Sequence, residues 1–281
     1  MKKTLLSLFA LVLGLATAHA QSMACHPTAS ATARFAALSA DEGFRNSHPD
    51  PLPYTHVSAT GKMITFKTPD GKTANAFELK PTKKSDKYLL IYQEWWGLNE
   101  HIKKEAEKYF NELGDVNVLA LDIYDGKVTA NRDEAAKYMQ ATDEKRIDAI
   151  MKGALTYVGP KARIASVGWC FGGSLSLKSA LLEGKQAVGC VMYYGMPVND
   201  VEKLKALHTD VLGLFAAKEQ WITPQVVAEF EENMKAAGKK VIVRSFEAGH
   251  GFANPSNPIF DQQATAEAYA LSINYLKERF K

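Results

Sequence analysis

The strongest constraint on how this chain folds is its alternation of short, continuously apolar runs with longer amphipathic ones. Tyr88 to Gln93, Val116 to Leu121, Arg163 to Val167, Ala187 to Tyr194, Val211 to Ala217 and Val241 to Phe246 read as buried strands. Between or after them, Asn99 to Leu113, Asp143 to Tyr157, Val201 to Leu207, Pro224 to Ala237 and Phe260 to Phe280 read as helices. Strands that are apolar on both faces and separated by helices specify a mostly parallel sheet with helices on both faces. Ahead of them, Met63 to Thr68 and Ala74 to Leu79 flank the turn signature Pro69-Asp70-Gly71-Lys72 and predict an N-terminal antiparallel hairpin at the sheet edge. The pattern fills residues 61–281, which is enough for one domain with an ample core.

In such a sheet, ligands bind beyond the carboxyl ends of the strands. The strand Arg163 to Val167 runs into Gly168-Trp169-Cys170-Phe171-Gly172-Gly173, which opens onto a helical run from Ser174 to Leu182. A strand, a glycine-flanked sharp turn and a helix are the setting of a nucleophile elbow, here carrying a thiol. The helix N-terminus behind Cys170 favours thiolate. A thiol nucleophile needs an imidazole to take its proton and a carboxylate to orient that imidazole. Glu219 follows the strand at Val211, and His250 follows the strand at Val241. The order nucleophile, acid, imidazole is that of α/β-hydrolases. Each residue alone has an ordinary explanation: a core cysteine, an exposed loop histidine, a surface pair of Lys218 with Glu219. Their coincidence at successive strand ends outweighs these. The tryptophans Trp95, Trp96, Trp169 and Trp221 also lie at strand ends, and with Phe252 they predict an aromatic-walled pocket.

The N-terminus has a separate logic. Lys2-Lys3, the apolar run Leu5 to Ala16 and the small-x-small site Ala18-His19-Ala20 have the layout of a secretory signal peptide over residues 1–20. The expected protein is therefore periplasmic or secreted, with no membrane span. Residues 21–60, rich in Ala, Ser, Pro and His, form a lead segment free to wrap the domain, with a short helix over Ala31 to Leu38. The chain is almost neutral once Lys2 and Lys3 are removed, and it has no basic stripe, so nucleic acid is not an expected partner. The cysteines Cys25, Cys170 and Cys190 are odd in number for an oxidising compartment, which leaves at least one free thiol or an intermolecular bond. A Cys25–Cys190 bridge is one arrangement, and Cys170 as the odd thiol suits catalysis.

Gln93-Glu94 followed by two bulky residues and Gly97, the Gly168–Gly173 elbow, Leu121-Asp122-Ile123-Tyr124 and Ala248-Gly249-His250-Gly251-Phe252 together resemble the dienelactone hydrolase family of α/β-hydrolases, over about Ile64 to Lys281. The resemblance implies that Cys170, His250 and Glu219 form the triad. It also implies that Glu94 contacts the resting thiol and gives way on substrate binding, and that the Trp95 and Phe171 N–H groups form the oxyanion hole. The elbow geometry independently predicts the same donors. The family acid is commonly Asp, where this chain has Glu219. The Arg expected four residues after the histidine is Asn254, with Lys127 and Arg132 as candidate replacement cations. The expected activity is hydrolysis of a small ester or lactone through a thioester, by a monomer needing neither cofactor nor metal. The alternative is a degenerate hydrolase fold serving as a small-molecule binding or thiol-redox protein, and the lack of a C-x-x-C pair counts against the redox form.

Overall fold

Eight strands form a single mixed sheet in the computed structural model, which describes residues 29–281. The lead carries two short helices, α1 (Ala31–Ala37) and α2 (Glu42–Asn46). The hairpin β1 (Lys62–Lys67) and β2 (Thr73–Leu79) comes next, then β3 (Lys87–Tyr92), α3 (Glu100–Leu113), β4 (Asn117–Leu121), α4 (Arg132–Gln140) and α5 (Glu144–Val158). The second half runs β5 (Arg163–Trp169), α6 (Phe171–Glu183), β6 (Ala187–Tyr193), α7 (Val201–Leu204), β7 (Val211–Ala216), α8 (Pro224–Ala236), β8 (Val241–Phe246) and α9 (Gln262–Arg279).

The strand order is β1-β2-β4-β3-β5-β6-β7-β8. β1 pairs antiparallel with β2 and β2 antiparallel with β4; every other pairing is parallel. Central strands are buried along nearly their whole length, whereas β1 alternates and is mostly exposed, as an edge strand tolerates. Helix starts are written in the sequence: Asn99, Asp143, Thr223 and Asp261 each accept a backbone N–H of the first turn, and Pro224 stands where its missing N–H costs nothing. α6 is buried on almost every side because it packs on β3, β5 and β6 beneath α1.

Departures from expectation are local. α4 was not anticipated; its small buried face of Ala135, Ala136 and Met139 is too narrow to stand out against its charged residues. α6 starts at Phe171 rather than Ser174, because the elbow leads straight into the helix. Residues 1–20, expected to be a signal peptide, and Cys25 lie outside the described residues. Among the described residues, no helix is long and apolar enough to cross a membrane.

Candidate active site

Cys170 sits between β5 and α6 with φ 57° and ψ −120°, a conformation that a non-glycine residue adopts only at a cost of about 1–3 kcal/mol. The turn is held by the Cys170 N–H donating to the Tyr193 carbonyl at 3.0 Å and the Gly173 N–H donating to the Cys170 carbonyl at 3.0 Å. Its glycines are sterically required. A Cβ at position 168 would lie 2.1 Å from the Gly172 carbonyl oxygen, and one at position 172 would lie 2.3 Å from that of Tyr92. The Phe171 N–H is directed at the sulfur. Burial pushes the thiol well above its ordinary pKa, the Glu94 charge adds to this, and the Phe171 hydrogen bond acts against it.

The loops after β7 and β8 join through a 2.6 Å bond between His250 Nδ1 and Glu219 Oε2. The longer glutamate side chain is therefore accommodated. Burial pushes Glu219 up, but the neighbouring His250, the hydrogen bond to it and the Trp221 and Ile222 N–H groups prevail and hold it below the usual carboxylate range. With Nδ1 engaged, His250 has Nε2 left, and that buried nitrogen has no hydrogen-bond partner among the described residues.

The lead supplies a residue that the sequence reading missed. His48 Nε2 lies 3.6 Å from Cys170 Sγ, and the His48 and His250 rings are 4.9 Å apart between centroids. His48 Nδ1 lies 2.7 Å from the Phe44 carbonyl oxygen, which can only accept, so Nδ1 bears the proton and Nε2 offers its lone pair to the thiol. Burial first, then the nearby His250, push the His48 pKa down to about 3, so the ring is neutral. Phe44 packs edge-on against Trp95 and Trp221 and tilts against His48 and His250, while Phe35 packs against Phe171 and His250. Ser30 caps α1 and Asp41 caps α2, so each helix has its own start signal. Cys170 is fully buried and the His250 side chain is 1 % exposed, so in this conformation no substrate reaches the sulfur.

The other anticipated residues divide. Glu94 is fully buried, and burial pushes its pKa up to about 8 against the influence of Ser256. Trp95 and Trp221 touch the lead over the site, and Phe252 packs on Tyr194, which itself meets His250 edge-on. Trp96 packs behind Trp95, and Trp169 stacks on Tyr193 in the core. Asn254 is buried, with its side-chain oxygen accepting the Ser256 N–H at 2.8 Å. Lys127 places its ammonium 5.7 Å from the Tyr138 ring centroid, and Arg132 reaches Asp50 and Asn46 of the lead. Cys190 is a buried thiol, not bonded to Cys170, against Ser176.

The sheet order, the elbow and the histidine after the last strand define an α/β-hydrolase. The chain belongs to the dienelactone hydrolase family, whose model matches residues 74–280. It is 25% identical over 231 residues to carboxymethylenebutenolidase 1 of Cupriavidus pinatubonensis, covering 77% of this chain and 95% of that one. It is 27% identical over 233 residues to the protein usf of Aquifex pyrophilus, covering 78% of this chain and 98% of the relative. Among solved structures, a dienelactone hydrolase-like promiscuous phosphotriesterase from metagenomic libraries superposes with a TM-score of 0.67 at 19% identity, over 79% of this chain and 100% of its own. At that identity the likeness speaks for the fold.

Proposed function

We propose that the protein is an exported hydrolase of small, neutral esters or lactones, acting through a thioester on Cys170. The single observation that carries the reading is the His250–Glu219 pair at 2.6 Å, on adjacent strand ends beside a thiol held in a strained elbow. Once the lead moves off, His250 Nε2 takes the thiol proton and the sulfur attacks the substrate carbonyl carbon. The negative oxygen that forms is met by the Phe171 and Trp95 N–H groups. The intermediate collapses as the alkoxide leaves with the proton from His250. Water, deprotonated by the same imidazole, then cleaves the thioester and releases the acid. Glu219 keeps Nδ1 protonated and stabilises the imidazolium. Glu94 is the carboxyl that shares the buried space with the resting thiol.

The neutral substrate follows from the cations. Asn254 spends its amide oxygen on Ser256, Lys127 lies over Tyr138, and Arg132 faces the lead. Asn254 and Lys127 offer no bidentate partner for a carboxylate, and the Arg132 guanidinium is held by the lead and not aimed at Cys170. The relative's name, carboxymethylenebutenolidase, denotes a cyclic ester with a carboxymethylene group; it supports the lactone class, while the neutral preference rests on the residues of this chain alone. The test compares kcat/KM for a neutral activated ester with that for a dienelactone bearing its carboxylate. We expect the neutral ester to be turned over at least as well. A strong preference for the carboxylate would overturn this specificity.

A further inference from the structure

We propose that His48, Cys170 and His250 form a binding site for a thiophilic divalent cation, with zinc the best match, and that the bound ion seals the lead over the nucleophile. The three side chains bring one donor atom each within 4.8 Å of one another. A tetrahedral zinc with ordinary Zn–S and Zn–N bond lengths needs sulfur and nitrogen about 3.5 Å apart, and Cys170 Sγ lies 3.6 Å from His48 Nε2. His250 needs to close in by roughly 1.5 Å at most to complete the set of three.

Ligand orientation is already fixed by outer contacts. His250 Nδ1 is bonded to Glu219, and His48 Nδ1 to the Phe44 carbonyl. A carboxylate behind one histidine and a backbone carbonyl behind the other are the contacts that set tautomer and ring angle in metal centres. An independent observation points to a ligand: His250 Nε2 is buried and has no hydrogen-bond partner among the described residues, which proteins rarely tolerate. Charge also balances, since a thiolate and the Glu219 carboxylate together neutralise a doubly charged ion in a site shielded from water by Phe35 and Phe44. His48 belongs to the lead, whereas Cys170 and His250 belong to the strand-end loops. An ion on all three therefore ties the lead down and occupies both the nucleophile and its base.

The proposal rests only in part on the catalytic reading, and its test keeps the two apart. Full-length protein, freed of metal with a chelator, is titrated with zinc by calorimetry and with cobalt by absorption. The expected result is one ion per chain, a thiolate-to-cobalt charge-transfer band, and a melting temperature that rises with zinc. His48→Gln should weaken zinc at least tenfold, and Cys170→Ser should abolish the band. Esterase activity of the metal-free wild type should fall as zinc is added and return with chelator. Absence of stoichiometric binding, or binding unaffected by both substitutions, would overturn the site whatever the activity. Specific binding without any hydrolysis would instead uphold the site and count against the catalytic reading.

Discussion

His250 and His48 face the same sulfur from two differently built regions. His250 stands on the loop after β8, and the carboxylate behind it stands on the loop after β7, so two hydrogen-bonded strands set their spacing. His48 comes from the lead, where packing of Phe35 and Phe44 sets its position and the groups behind the ring, the Phe44 carbonyl and the Ser47 hydroxyl, are neutral. An imidazole that must accept a proton in a buried site needs negative charge behind it. Glu219 supplies that for His250; without such a partner, burial drives His48 down to about 3. Two histidines beside one thiol are thus unequal: one is equipped as a base, and the other can only accept a hydrogen bond or bind a metal.

The largest expected effect falls on the nucleophile. Cys170→Ala should reduce kcat for an activated ester by more than about 10⁴-fold while the far-ultraviolet circular dichroism stays unchanged. Near-wild-type turnover by that variant would remove Cys170 from the chemistry. Glu219→Gln should cost on the order of 10²–10⁴ in kcat, because the ring loses both its tautomer and its counter-charge. If Glu219→Gln and wild type turn over alike, the comparison between the two histidines fails.

The lead should show itself in stability and access. Phe44→Ala removes a fully buried ring from among Trp95, Trp221 and both histidines and should cost about 3–5 kcal/mol, read as a lower denaturation midpoint. A change under about 0.5 kcal/mol would mean that the lead is not held there in solution. In metal-free protein, His48→Ala should raise kcat/KM by roughly a few-fold, since it lessens the cost of uncovering the site. A large loss instead would make His48 part of the catalytic base.

The smallest effect concerns Glu94. Its folded pKa of about 8 exceeds the unfolded value, so the native state holds a proton that the unfolded chain lacks between about pH 4.5 and 8. Its contribution to stability is complete below that window and is lost as the pH rises through it. Glu94→Gln should flatten this decline. It should also speed alkylation of Cys170 about tenfold above pH 8, where the carboxylate would otherwise oppose thiolate, with little change below pH 7. Identical alkylation profiles would separate Glu94 from the thiol.

What was legible in the sequence follows the same division. Apolar runs and glycine turns carry local signals, so the parallel sheet, the hairpin, the elbow and the order of Cys170, Glu219 and His250 could be read in advance. The glycines at 168 and 172 are dictated by sterics, since any Cβ there would fall within 2.5 Å of a backbone carbonyl oxygen. His48 left no such trace. It lies in Asn46-Ser47-His48-Pro49, a polar stretch without periodicity, and only tertiary packing brings it across the site. The short α1 could be anticipated, but its burial over α6 could not. Likewise, Trp169 and Trp221 both follow apolar runs, yet Trp169 is the last residue of β5 and stacks on Tyr193 in the core, whereas Trp221 lies in the loop beyond β7 and meets Phe44 of the lead.

The central claim is that Cys170 becomes covalently acylated with His250 as its base. Metal-free protein mixed rapidly with a slowly deacylating activated ester, quenched in acid and analysed by intact and peptide mass spectrometry tests it most directly. The account predicts one acyl group per chain, carried as a hydroxylamine-labile thioester on the peptide containing Cys170, and sharply reduced in Glu219→Gln. Hydrolysis that proceeds with no acyl group on Cys170, or with the label on another residue, would contradict it.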